Sequence, residues 1–244
     1  MRKLNRSALS IVTAAIIGAT AIESSAATIA FQGFEANATD TWAYATSGTG
    51  GAVGGAGAAV EYPAGASRVN SGSASYQTSD GTSTVSFNAL DVSSFTDKIV
   101  GLRLAAISTG PSNGLDAGDR VKVYVALNGA DFSPTPDLTI GGFSNARWLY
   151  SASGEASTSA GTAATFAPSA GGVRTTDGYS TLLVSLPDSV QSLSMKIVSN
   201  NDNVGEIWSV DDVTVTGTAV PEPASLGLLA GGAAMLLRRR GRQG

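Results

Sequence analysis

The chain of 244 residues contains no cysteine and no histidine. Without histidine there is no Ser-His-Asp or Cys-His nucleophilic machinery and none of the usual zinc ligands, which leaves carboxylates, Lys, Tyr or Ser for any chemistry. Without cysteine a fold in an oxidising compartment must rely on core burial and, at most, a bound ion. Charged residues make up only 14% and aromatic residues 7%. Between residues 28 and 219 no sustained 3.6-residue apolar stripe occurs, so helices there should be short or missing.

The ends carry most of the positive charge. Arg2, Lys3 and Arg6 precede the apolar stretch from Ala8 to Ala21, and Ser24-Ser25-Ala26-Ala27 offers small residues for cleavage, the order of a secretory signal over residues 1–27. At the other end Val220-Pro221-Glu222-Pro223 is followed by an uncharged run from Ala224 to Leu237 and then by Arg238, Arg239, Arg240 and Arg242. Two prolines hold the first part extended, and arginines after an apolar run favour the cytoplasmic side. Both basic clusters then stay inside while the intervening chain crosses.

This tail resembles the PEP-CTERM sorting signal of exported bacterial proteins. Val220 to Pro223 match the motif, Ala224 to Leu237 the hydrophobic segment, and Arg238 to Arg240 the basic terminus. The resemblance implies membrane anchoring before processing and cleavage near Pro221 to Pro223 by an exosortase, with a signal peptidase acting at the other end. The uncharged run is 14 residues, about 21 Å as helix and short for a ~30 Å hydrocarbon core, so it must recruit its flanks or thin the bilayer.

Once both tails are set aside, residues 28–219 hold 8 basic and 17 acidic side chains, a net charge of −9. Such a surface disfavours nucleic acid and anionic lipid. Alternation dominates this stretch. Val121, Val123, Val125 and Leu127 interleave with Lys122, Tyr124 and Ala126 and end at Asn128-Gly129, a strong hairpin signal. Val85, Phe87 and Ala89, and Leu182, Val184 and Leu186, repeat the period. Further strands are expected over residues 28–35, 98–108, 137–140, 147–150, 193–199 and 206–216. Together they predict one all-β domain of about eight to twelve strands in two packed antiparallel sheets, a jelly-roll-like β-sandwich. The glycine-rich run from Gly48 to Gly57 has no following Lys-Ser or Lys-Thr and reads as a surface loop rather than a phosphate cradle. Residues 151–172, rich in Ser, Ala, Thr and Gly, read as a second long loop.

Phe31-Gln32-Gly33-Phe34-Glu35 near the start and Trp208-Ser209-Val210-Asp211-Asp212-Val213 near the end resemble exported jelly-roll modules of the carbohydrate-binding and adhesion type, whose first and last strands lie side by side. The resemblance implies a structural Ca2+ with Glu35, Asp211 and Asp212 as ligands. The alternative is that these acids are solvated or paired with Arg or Lys. Asp116-Ala117-Gly118-Asp119 resembles half a calcium loop but lacks the alternating acids and terminal Glu of an EF-hand, and reads rather as the polar turn before a strand. Trp42 with Tyr44 and Trp148 with Tyr150 are candidates for a sugar-stacking platform, or else core; Trp208 reads as core. No pair of acids is singled out for glycoside hydrolysis. The expectation is an exported, non-enzymatic surface or matrix protein with a structural or adhesive role. A carbohydrate-binding module for extracellular polysaccharide is second, and a glycan-active hydrolase third.

Overall fold

The computed structural model describes residues 25–57 and 61–220. The expected signal segment up to Ser24, and the sorting segment from Pro221 with its arginines, lie outside the described residues.

The described chain is all-β, and no helix occurs among the described residues. Fifteen strands form in chain order: β1 (Ala26–Gln32), β2 (Tyr44–Gly48), β3 (Gly51–Gly54), β4 (Ser75–Thr78), β5 (Gly81–Asp91), β6 (Phe95–Ser108), β7 (Arg120–Leu127), β8 (Leu138–Gly141), β9 (Ala146–Arg147), β10 (Gly154–Ser159), β11 (Ala164–Phe166), β12 (Gly172–Val173), β13 (Tyr179–Ser185), β14 (Ser192–Asn201) and β15 (Glu206–Ala219). A first sheet runs β10-β13-β6-β15-β4-β3, with β1 on the far half of β15; a second runs β11-β8-β7-β14-β5-β2. β9 and β12 make a separate two-stranded pair.

The alternation read from the sequence sets the two layers. Val121, Val123 and Val125 on β7, Val85 and Phe87 on β5, and Met195 and Ile197 on β14 face the same core as Val100, Leu102 and Leu104 on β6 and Val213 and Val215 on β15. β-Branched residues pack well on such pleated surfaces, and each large side chain buried there contributes about 1.5–3 kcal/mol. Trp148 and Trp208 sit in this core edge to face, ring centroids 5.5 Å apart.

Several expectations need correction. The sheets are mixed rather than wholly antiparallel: β10 pairs β13, β11 pairs β8 and β12 pairs β9 in parallel. Both expected loops contain strands. The run from Gly48 to Gly57 leaves β2 in the second sheet and enters β3 in the first, and β4 to β5 makes the reverse step beside it. The two corners are bonded, Thr49 N–H to the Thr82 carbonyl and Ser79 N–H to the Gly50 carbonyl, each 2.8 Å. Gly48 and Gly50 have φ of +92° and +73°, and a Cβ on either would lie 2.2 Å from a carbonyl oxygen of the other corner. Glycine is required there because backbone meets backbone. Residues 151–172 likewise pass from β10 in the first sheet to β11 in the second. Asn128-Gly129 does make the left-handed turn, with φ of 54° and 76°, yet the partner strand β8 starts only at Leu138. At the amino end β1 begins at Ala26, and Ala26 and Ala27 pair with Thr218 and Gly217 of β15.

Candidate functional site

Two polar segments meet at one end of the sandwich. The first is the turn Asp116 to Asp119 before β7, closed by Asp119 N–H to the Asp116 carbonyl at 3.1 Å and by the Asp119 carboxylate accepting from Asp116 N–H. The second is the hairpin tip between β14 and β15, where Asn203 accepts from Gly205 N–H at 2.8 Å. Among the described residues, one group of three acids has ligand oxygens all within 4.8 Å of one another: Asp119, Asp202 and Glu206. Asp119 and Glu206 are buried, whereas Asp202 is exposed. A cleft of about 400 Å³ opens beside them, lined by Asp80, Gly118, Asp119, Asn200, Asn201 and Asp202.

Its electrostatics are unfavourable for three bare carboxylates. Burial, then the negative charge of Asp119, Asp116 and Asp202, pushes Glu206 up to about 8. Asp119 is raised too, chiefly by burial. Glu206 Oε2 is buried with no hydrogen-bond donor. The same holds for Asn201 Oδ1, whose amide donates to the carbonyls of Thr78 and Glu206 at 2.9 and 2.6 Å. Buried acceptors without a donor are costly, so this cluster favours a positive species at its centre.

The three acids expected to ligate calcium accept hydrogen bonds, almost all from residues 70–74. Asp211 is fully buried; its Oδ2 accepts from the N–H groups of Asn70 and Ser71 at 2.8 and 3.2 Å, and its Oδ1 from Asp212 N–H at 2.8 Å. Asp212, at φ 46°, accepts from Asn70 Nδ2 and Ser71 Oγ. Glu35 accepts from Ser73 N–H, Ser73 Oγ and Ala74 N–H, which holds its carboxyl below the usual range. All six oxygens are therefore engaged by donors, almost all from residues 70–74, and the three acids clamp that segment to β1 and β15. Among the described residues they do not form a convergent group as Asp119, Asp202 and Glu206 do.

The aromatic candidates also lie inside. Trp42, Trp148 and Tyr150 are buried, and Tyr44 is half-buried against Phe34 at 5.2 Å. Trp42 donates its indole N–H to the Asn88 carbonyl and Trp148 to the Leu104 carbonyl. Tyr150 Oη donates to the Arg68 carbonyl at 3.3 Å, so the polar tips of all three buried rings are satisfied by backbone.

The outer face of the second sheet carries what sequence reasoning passed over. Its residues alternate with the buried set, and the register aligns them in three rows across the strands: Arg120, Asn200 and Thr82; Lys122, Val198, Thr84 and Ser47; Tyr124, Lys196, Ser86 and Ala45. These rows hold three of the domain's eight cations and no acid. The Lys196 ammonium sits 4.5 Å from the Tyr124 ring centroid and 4.7 Å from that of Phe132. The other five cations are spent internally. Arg68 pairs with Glu61 at 2.6 Å, Arg174 with Asp177, Arg103 donates to Thr181 and the Tyr150 carbonyl, and Lys98 and Arg147 are buried. Tyr124 at the polar phase of an apolar alternation was the legible signal for this face.

No family model matches the chain, and no curated protein does. Solved structures to which the chain is similar include TmCBM61 in complex with beta-1,4-galactotriose, at 9% identity over 70% of this chain and 86% of that one, TM-score 0.38. The K3 cleaved adhesin domain of Lys-gingipain from Porphyromonas gingivalis is similar at 12% identity over 79% of this chain and 99% of that one, TM-score 0.39. A family 16 carbohydrate binding module-2 is similar at 13% identity over 61% and 79%, TM-score 0.31.

Proposed function

We propose that this chain is an exported cell-surface or extracellular-matrix protein with a structural or adhesive role. Its jelly-roll-like sandwich meets carboxylated polysaccharide on the outer face of the second sheet. The observation that carries the reading is the segregation of charge: Arg120, Lys122 and Lys196 occupy rows without a single acid, in a domain of net charge −9. A polyanionic chain lying across these rows gains charge-assisted contacts there and is repelled elsewhere, which fixes where it docks. Tyr124 and Phe132, already flanking Lys196, supply apolar ring area beside the cations. The terminal signals support the setting: a secretory signal at residues 1–27, and a PEP-CTERM tail to be cut by an exosortase near Pro221 to Pro223.

On a glycan array, the purified protein is expected to bind uronic-acid polymers and to ignore neutral glucans of equal length. Equal signal on neutral and carboxylated polymers, or none on either, would contradict this reading. Separately, deleting residues 221–244 is expected to release an unanchored product into the medium, seen by immunoblot of fractionated cells. A protein unchanged in size and place after that deletion would remove the sorting assignment.

The calcium reading now attaches to the acids at the β14–β15 tip rather than to Glu35, Asp211 and Asp212, whose oxygens already accept hydrogen bonds. An ion there would serve the fold, compensating for the missing disulfides.

A further inference from the structure

We infer that Asp119, Asp202 and Glu206, with the amide oxygen of Asn201, form a binding site for one divalent hard cation of the calcium class. Independently of the polysaccharide face, this pins the β14–β15 hairpin to the turn before β7.

Three observations carry it. Two oxygens bound to one calcium ion at about 2.4 Å are at most about 4.8 Å apart, and the three carboxylates meet that limit. Two buried polar side chains at the site, Glu206 and Asn201, each present an oxygen without a donor, Oε2 and Oδ1. An acid cluster that merely faced solvent would leave no buried acceptor orphaned. Finally, the Asn201 amide is oriented by two donated hydrogen bonds to the Thr78 and Glu206 carbonyls. Its Nδ2 is committed, so Oδ1 is the atom left to offer, and Asn201 lines the same cleft as Asp119 and Asp202.

The donor set is all oxygen. The chain has neither His nor Cys, so metals that prefer imidazole or thiolate find no ligand of their own. Carboxylates from a turn and a hairpin tip, with room in the cleft for water, suit the loose six-to-eight coordination of calcium better than the compact octahedron of magnesium. Asp202, the exposed member, closes the site from the solvent side.

The test uses the full chain, freed of metal by chelator dialysis and followed by thermal melting and by calorimetric titration with CaCl2 or MgCl2. Calcium at 1 mM is expected to raise Tm by at least about 5 °C, with a smaller response to magnesium. Asp202→Asn, at an exposed position where folding is not at stake, is expected to weaken calcium binding at least tenfold. Glu206→Gln, which keeps the shape, is expected to abolish the calcium response without lowering Tm in chelator. Glu35→Gln is expected to retain the response. No response to calcium in the wild type would overturn the site. So would a response unaltered in both Asp202→Asn and Glu206→Gln, or one lost in Glu35→Gln alone. Magnesium acting as strongly as calcium would overturn the calcium assignment.

Discussion

Replacing Trp148 by alanine is expected to destabilise the domain by about 3–5 kcal/mol, the range for removing a fully buried tryptophan. The ring lies at the meeting point of both layers: its edge contact with Trp208 is 5.5 Å between centroids, and its N–H caps the Leu104 carbonyl at 3.3 Å. Its backbone also bridges Ala106 through paired hydrogen bonds of 2.9 and 3.1 Å. Gly178 shows how little slack the surroundings have, since a Cβ there would lie 2.1 Å from Trp148 Cγ. The cavity left by alanine cannot collapse without moving β13. Urea denaturation should show the loss as a lower midpoint at unchanged slope; a shift under about 1 kcal/mol would mean the tryptophan is not a core keystone.

Asp211→Ala is the second large effect, and it carries a pH signature. Three N–H groups, those of Asn70, Ser71 and Asp212, lose their acceptor, a cost of about 3 kcal/mol in all once partial rehydration of the loop is allowed. Burial is the leading influence on this carboxyl and raises it to about 6, against the lowering by its backbone donors. A folded-state value above the ordinary 3.8 means the native protein holds the proton more tightly than the unfolded chain. The Asp211 contribution is thus fully present below about pH 4, and declines as pH rises through 6, by up to about 3 kcal/mol. The difference between wild type and Asp211→Ala should accordingly be larger at pH 4 than at pH 7. Glu35 and Asp91, held low by hydrogen bonds to Ser73 and Ser93, push wild-type stability the other way and cancel in that difference. A gap independent of pH would show that Asp211 stays ionised throughout.

The long strands were legible because their chemistry is repetitive. β5, β7, β14 and β15 each alternate inward and outward residues over six or more positions, the period of a half-buried strand. The meeting of the chain ends was legible too, since Gln32 on β1 does lie opposite Val213 on β15. What escaped was short, small and glycine-bearing. β3, β10, β11 and β12 have few apolar side chains to mark a face, and β10, β11 and β12 are fixed by parallel pairing with distant strands. The acidic site failed to show for a related reason. Asp119 reads in sequence as part of a polar turn, and its complement, Asp202 and Glu206, comes from a hairpin brought alongside only by the packing of β7 against β14. Glu35 and Asp211 were found as acids that matter, and their work proves to be holding residues 70–74. The platform aromatics were visible as pairs, and the core claimed them because each offers more area to bury than any aliphatic neighbour.

The central claim is that the three acid-free rows on the outer face of the second sheet are where this protein meets its polymer. The most direct measurement is the binding isotherm for polygalacturonate of the wild type and of Lys122→Glu/Lys196→Glu, at 20 and 300 mM salt. Both side chains point outward, so the variant should keep the wild-type Tm within about 2 °C. The account predicts that affinity falls at least tenfold in the variant at low salt, and that the wild type weakens strongly as salt rises. Equal affinity for the two proteins, or binding indifferent to salt, would contradict it.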